Sequence, residues 1–183
     1  MMGGAYRDAR VEDAAAVGAF LHERFVATFG YLYPPDDLAV FTALHYTPTA
    51  IEKGLRAPTG ANHLALQDDG PNAPILGVAE IGPLGLPVDA PADERAYELK
   101  RLYLADAVKG AGVADALMRW SFDRAALFGA KVMYLSVWSE NFRAQKFYAR
   151  HGFVKCGAYK FPVGATLDDE WIMRAVIESG EAP

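Results

Sequence analysis

The stretch VKGAGVADAL, residues 108–117, sets a basic residue and two glycines directly in front of an amphipathic run. Gly110 and Gly112 remove side chains where a backbone turns tightly or lets another group come close. Val113, Ala116, Leu117, Trp120 and Leu127 then recur at helical spacing, so the glycines stand at a helix N-terminus. That end of a helix carries unpaired N–H groups and the positive pole of the dipole, and after a strand it suits a phosphate. A tight turn without a ligand fits the same glycines. Two common phosphate loops fail here. The dinucleotide fingerprint needs a third glycine where Asp115 stands, and the triphosphate loop needs a Gly-Lys-Ser/Thr that the chain lacks.

Outward from this turn, YELKRLYL (97–104) alternates in strand fashion, a helix continues to about Phe128, and KVMYLSV (131–137) is a nearly continuous apolar strand. Together they make a βαβ unit. Behind it, Ala144, Phe147, Tyr148 and His151 share one face of a short helix that ends at Gly152, with Arg143, Lys146 and Arg150 outward. FVKCGAYKF (153–161) and DEWIMRAVI (169–177) read as closing strands. Ahead of the unit, NHLALQD and PILGVAEIG are apolar runs divided by the turn formers DGPNAP, which predicts an antiparallel hairpin. Residues 83–96, rich in proline, glycine and acids, predict a surface loop. The first 60 residues read as a short strand at Ala5–Ala9 and three helices. The first helix, over 12–28, turns Val17, Phe20, Leu21, Phe25 and Thr28 inward, and Pro35 and Pro48 open the other two.

A chain of 183 residues, 52% hydrophobic and 22% charged, suits one domain with a substantial core. The net charge of −5 argues against nucleic acid or an anionic membrane as the main partner and suits a cationic substrate. No apolar run is long enough to span a bilayer. The lone Cys156 and the absence of a signal-peptide layout at the start lead to a cytoplasmic expectation. The four histidines lack metal-ligand spacing, so no metal is expected, and Cys156 reads as a small buried residue.

The segment Lys109-Gly110-Ala111-Gly112-Val113-Ala114 resembles the pyrophosphate loop of the GNAT superfamily of acyl-CoA-dependent N-acyltransferases. SVWSENFRAQKFYARHGFVKCG (136–157), in the right order behind it, is similar to that family's Asn-x-x-Ala-x-x-Phe-Tyr-x-x-x-Gly-Phe segment. Lys109 stands where Gln or Arg is usual, and Asp106 where proline is common. TFGYLYPPDDLAVFTALHYT (28–47) and GAYKFPVGATLDDEWIM (157–173) resemble the PaiA-type spermine/spermidine acetyltransferase group. The resemblance implies a single α/β (α+β) domain over 1–183. Its mixed, mostly antiparallel sheet would have six to seven strands with a splayed parallel pair, flanked by helices.

It also implies acetyl-CoA as cosubstrate, a small amine as acceptor, and a fold in which a homodimer is an option. The pantetheine arm would lie between the splayed strands, meeting the main chain of Leu102, Tyr103 and Leu104 on one side and Val137 on the other. One strand amide would polarise the thioester. Asn141, Ala144 and Phe147 would border the arm, and Asn141 also suits a helix cap. Tyr148 is either a core tyrosine or the acid that returns a proton to the leaving thiolate. Glu98 is either the base that takes the amine's proton or a carboxylate that orients the substrate. Acidic clusters at Asp36–Asp37, Asp93–Glu94 and Asp168–Asp169–Glu170 fit a polycation, and equally fit solvated loops or a helix start. Another amine, an amino acid or a protein amine remains an alternative acceptor, and an acyl-CoA sensor without transfer is the alternative function.

Overall fold

The computed structural model describes residues 5–57, 63–68, 73–91 and 95–177. The N-terminal part runs β1 (Ala5–Asp8), α1 (Ala14–Phe29), α2 (Pro35–His45) and α3 (Pro48–Leu55). The remainder runs β2 (His63–Asp68), β3 (Gly77–Pro83), β4 (Ala96–Leu104), α4 (Val113–Leu127), β5 (Val132–Trp138), α5 (Phe142–Arg150), β6 (Val154–Val163) and β7 (Thr166–Val176). The strands form one seven-stranded sheet among the described residues, in the order β1-β2-β3-β4-β5-β7-β6. Every neighbouring pair is antiparallel except β4 and β5. Pro35 and Pro48 each sit in the first turn of their helix, where the missing N–H would have had no partner. No helix among the described residues is long and apolar enough to cross a membrane.

Two cores hold the sheet. On one face α4 covers β3 and β4, and Met118 and Ala125 pack with Leu99, Met133, Leu135 and Phe153. On the other, α1 and α3 bury Val17, Leu21, Phe25 and Ile51 against Val78 and Tyr46. Three expectations change here. Leu127 is 78% exposed, because the inward stripe of α4 is Val113, Leu117, Met118, Ser121 and Ala125, and position 127 falls off it. Thr28 is exposed at the end of α1. The stretch after β3 is more than a surface loop, since Leu84, Leu86, Val88 and Ala90 pack on Val132, Tyr134 and Ile172. Asp93–Glu94 lies outside the described residues.

Two extra residues bend the sheet. Opposite Glu80 and Ile81 the β4 partners step from Arg101 to Leu99, so Lys100 is a β-bulge. The strict alternation expected of YELKRLYL is therefore broken at that point. Cys156 is the surplus residue in β6, opposite Ile172 and Met173, and is exposed rather than buried. Asp37 fastens α2 to the β6–β7 turn. Its carboxylate accepts the N–H groups of Ala165 (2.9 Å) and Thr166 (3.1 Å) and the Thr166 hydroxyl (2.7 Å). Gly164 in that turn has a φ of +59°, and a Cβ there would stand 2.4 Å from Asp37 Oδ1.

Candidate active site

The site begins where two parallel strands part. Pairing between β4 and β5 runs from Ala96↔Val132 to Leu99↔Leu135 and stops. Beyond that point β4 continues against β3 as far as Leu104↔Gly77, while β5 continues against β7 as far as Trp138↔Glu170. The Lys100 bulge stands at the parting, where the added residue turns the end of β4 away from β5. A cleft of about 1430 Å³ opens there, lined in part by Leu102, Tyr103, Leu104, Val137 and Trp138.

At one end of the cleft lies the start of α4. Gly110 and Gly112 have φ values of +84° and +82°, a region that disfavours other residues, and a Cβ on either would meet nothing within 4 Å. The first bond inside the helix runs from Ala116 N to Gly112 O at 3.1 Å, so the amides of the first turn have no partner within the helix, while the Ala111 amide donates to Val108 O at 3.1 Å. Lys109, Gly110, Gly112 and Ala114 line the cleft. Ala111 does not, and the Val113 side chain is buried against Leu117 and Ala79, which leaves these two only their backbone to offer. Asp106 accepts from Lys109 Nζ at 2.5 Å and from Arg24 at 2.9 Å, and these cations hold its carboxyl below the usual range. Arg24 Nε is buried without a hydrogen-bond partner. No local pattern marks Arg24, since it arrives from α1, 82 positions before Asp106.

α5 is placed by its first turn. Asn141 Oδ1 accepts the Ala144 N–H at 3.1 Å, an N-cap of the kind worth about 1 kcal/mol. Gln145 is the buried residue of the helix, and its amide donates to the carbonyls of Trp138 (3.1 Å) and Ser139 (2.9 Å), tying α5 to the end of β5. Asn141, Ala144, Phe147 and Tyr148 all reach the cleft, and so do the cations Arg143, Lys146 and Arg150 that were expected to point only outward. The Tyr148 ring packs edge-on against Phe147 and Phe153. Burial pushes its hydroxyl up to about 12, with the Glu170 charge adding to the shift.

The other end of the cleft is acidic. Glu98 Oε2 accepts the Gly85 N–H at 2.8 Å and pairs with Lys100 Nζ at 3.2 Å. Asp168 and Glu170 face the cleft from β7, whereas Asp169 points away and pairs with Lys160 at 2.6 Å. Tyr33 donates to Asp168. The Tyr159 hydroxyl lies 3.2 Å from Ser136 Oγ and 3.5 Å from Glu170 Oε2, and Ser136 also bonds to Glu170. Burial raises the Glu170 carboxyl above the usual range. The bonds from Ser136 and Tyr159 oppose this, and the charges of Asp168 and Glu98 reinforce it. Asp36 and Asp37 do not join this cluster, Asp37 being committed to the β6–β7 turn. No group of three or more His, Cys, Asp or Glu with metal-holding geometry occurs among the described residues.

A strand pair that opens onto a glycine-started helix is the arrangement that the acetyltransferase (GNAT) family model matches, over residues 18–153. The chain belongs to the GNAT family. An uncharacterised N-acetyltransferase of Mycobacterium tuberculosis is 41% identical over 81 residues, 44% of this chain and 52% of the relative. The chain thus spans about half the length of the curated relatives it matches at that level. A similarly described N-acetyltransferase of Lactobacillus delbrueckii is 24% identical over 87% of this chain and 89% of its own. Among solved GNAT structures, PaiA N-acetyltransferase of Thermoplasma acidophilum in complex with coenzyme A has a TM-score of 0.71 at 16% identity, over 94% of this chain and 98% of its own. Ribosomal-protein-S5-alanine acetyltransferase of Vibrio fischeri has 0.69 at 14%, over 97% and 94%. At such identities the likeness is one of fold.

Proposed function

We propose that the chain is an N-acetyltransferase that moves an acetyl group from acetyl-CoA to a primary amine by direct attack in a ternary complex, with a polyamine such as spermidine as acceptor. The observation that carries this reading is a single cleft with a glycine-lined helix start at one end, an open strand edge in the middle and carboxylates at the other end. An anionic cosubstrate and a cationic acceptor would meet from opposite ends.

The pyrophosphate would lie on the amides of Gly110 to Ala114 beside Lys109, where the dipole and free N–H groups favour negative charge. The pantetheine would run past Leu102, Tyr103 and Leu104 opposite Val137, held near Asn141, Ala144 and Phe147. Tyr148 would protonate the departing thiolate. Of the two roles open to Glu98, orienting the acceptor is favoured, because its carboxylate already accepts an amide and an ammonium.

Family membership and the coenzyme A complex of the PaiA relative support acetyl-CoA, while the acceptor rests on the carboxylates and on that relative's group. Steady-state CoA release should be stimulated by spermidine and spermine above simple monoamines, amino acids and peptide N-termini. Tight acetyl-CoA binding with no amine-stimulated release would overturn the transferase reading in favour of a sensor. Release without polyamine preference would overturn the acceptor alone.

A further inference from the structure

We propose that Glu170, not Glu98, is the general base that takes the proton from the acceptor ammonium. The proposal rests on the acetyl-transfer reading above.

Position separates the two carboxylates. Glu98 lies opposite Tyr134, in the part of β4 still paired to β5, and one pair short of the last. Ser136 is the first β5 residue past that last pair, and Glu170, opposite Trp138, shares with it the Tyr159 hydroxyl, 3.2 Å from Ser136 Oγ and 3.5 Å from Glu170 Oε2. Glu170 therefore flanks the parting of the strands, where a thioester lying between them would present its carbonyl. The carboxylates also differ in what holds them. Glu98 is engaged by the Gly85 amide at 2.8 Å and the Lys100 ammonium at 3.2 Å, so its Oε2 is already committed to groups of the protein. Glu170 bonds to two neutral hydroxyls, of Ser136 and Tyr159, which fix its orientation without neutralising it.

The electrostatic setting agrees with this assignment. The charged or titratable groups around Glu170 are Asp168 on its own strand, Glu98 on β4, Tyr159 on β6 and Tyr148 on α5, with Tyr33 reached through Asp168. Burial and the two neighbouring carboxylates raise the Glu170 carboxyl above the usual range, which makes it a stronger base than a solvated carboxylate. Its charge is felt at Tyr148, so acid and base face one cleft.

The proton balance is complete. Glu170 takes one proton from R–NH3+, and the free amine forms the N–C bond to the thioester carbonyl. The tetrahedral adduct sheds a second nitrogen proton as the C–S bond breaks, which balances the one Tyr148 gives to the thiolate. Glu170 then returns its proton to solvent. Net products are the amide, the thiol and one proton.

The test compares Glu170→Gln and Glu98→Gln with wild type, using spermidine and 2,2,2-trifluoroethylamine, whose nitrogen is already neutral at assay pH. For Glu170→Gln, kcat/KM for spermidine should fall by about 10²-fold or more and lose its acidic limb. The fluorinated amine should be affected far less, and the calorimetric Kd for acetyl-CoA should match wild type. Glu98→Gln should keep the limb, and Glu170→Asp should restore it at a reduced rate. An acidic limb that persists in Glu170→Gln, or equal losses with both amines, overturns the assignment while the transferase reading stands. A wild type that acetylates no amine removes the transferase reading itself, and Glu170 as base with it.

Discussion

Tyr148 shows how one side chain is held ready. Its ring is wedged between Phe147 and Phe153, and burial keeps the phenol protonated past neutrality, the state that the proposed proton donor requires. Tyr148→Phe removes that donor and almost no volume. Turnover should drop by about 10²- to 10⁴-fold, with acetyl-CoA affinity by calorimetry unchanged. Unaltered turnover, measured where chemistry limits the rate, would make Tyr148 a packing residue. At this scale the sequence was informative where the signal is local. Gly110, Gly112, Asn141 and Tyr148 sit inside short motifs, and the structure brings all four to one cleft. Ser136 and Glu170 lie 34 positions apart and meet only because β7 pairs with β5, and Arg24 meets Asp106 only through the packing of α1, so neither pair leaves a mark in either local pattern.

Among the elements, α2 is the one whose placement the sequence missed. Asp36 and Asp37 stand in the first turn of α2, as expected of acids at a helix start, and Asp37 in addition grips the β6–β7 turn. The Ala165 amide, then the Thr166 hydroxyl and amide, hold its carboxyl below the usual range. The sign follows from that. A carboxylate whose folded value is depressed adds stability that is complete above its unfolded value of 3.8 and is lost as pH falls through the lowered folded value. Asp37→Ala should therefore melt below wild type at neutral pH, with the gap closing in strong acid, as followed by thermal unfolding. A gap independent of pH would point to a packing effect. Helix starts at Pro35 and Pro48 were readable because proline acts within one turn, whereas the target of Asp37 is 128 residues away.

Over the whole molecule, Glu98, Asp168 and Glu170 face one part of the cleft, where Lys100 pairs with Glu98 and Arg101 with Glu80, and Lys109, Arg143, Lys146 and Arg150 face the other. If this field guides a polycation, kcat/KM for spermidine should fall with rising ionic strength, and fall further than for a monoamine of similar length. Parallel salt profiles for the two amines would sink the idea. The strands and the helix count were legible because hydrophobic period and turn residues are written along the chain. The break in β4 was not, because YELKRLYL reads equally well as an unbroken strand. That break makes the site depend on arithmetic rather than chemistry. Deleting Lys100 would bring Arg101 through Leu104 back into plain alternation on the faces they already present, because Leu99 and Arg101 pair with the adjacent residues Ile81 and Glu80, and would remove the bend that parts β4 from β5. Substitutions along 102–104 change what borders the cleft, whereas a one-residue shortening at the bulge is expected to close it.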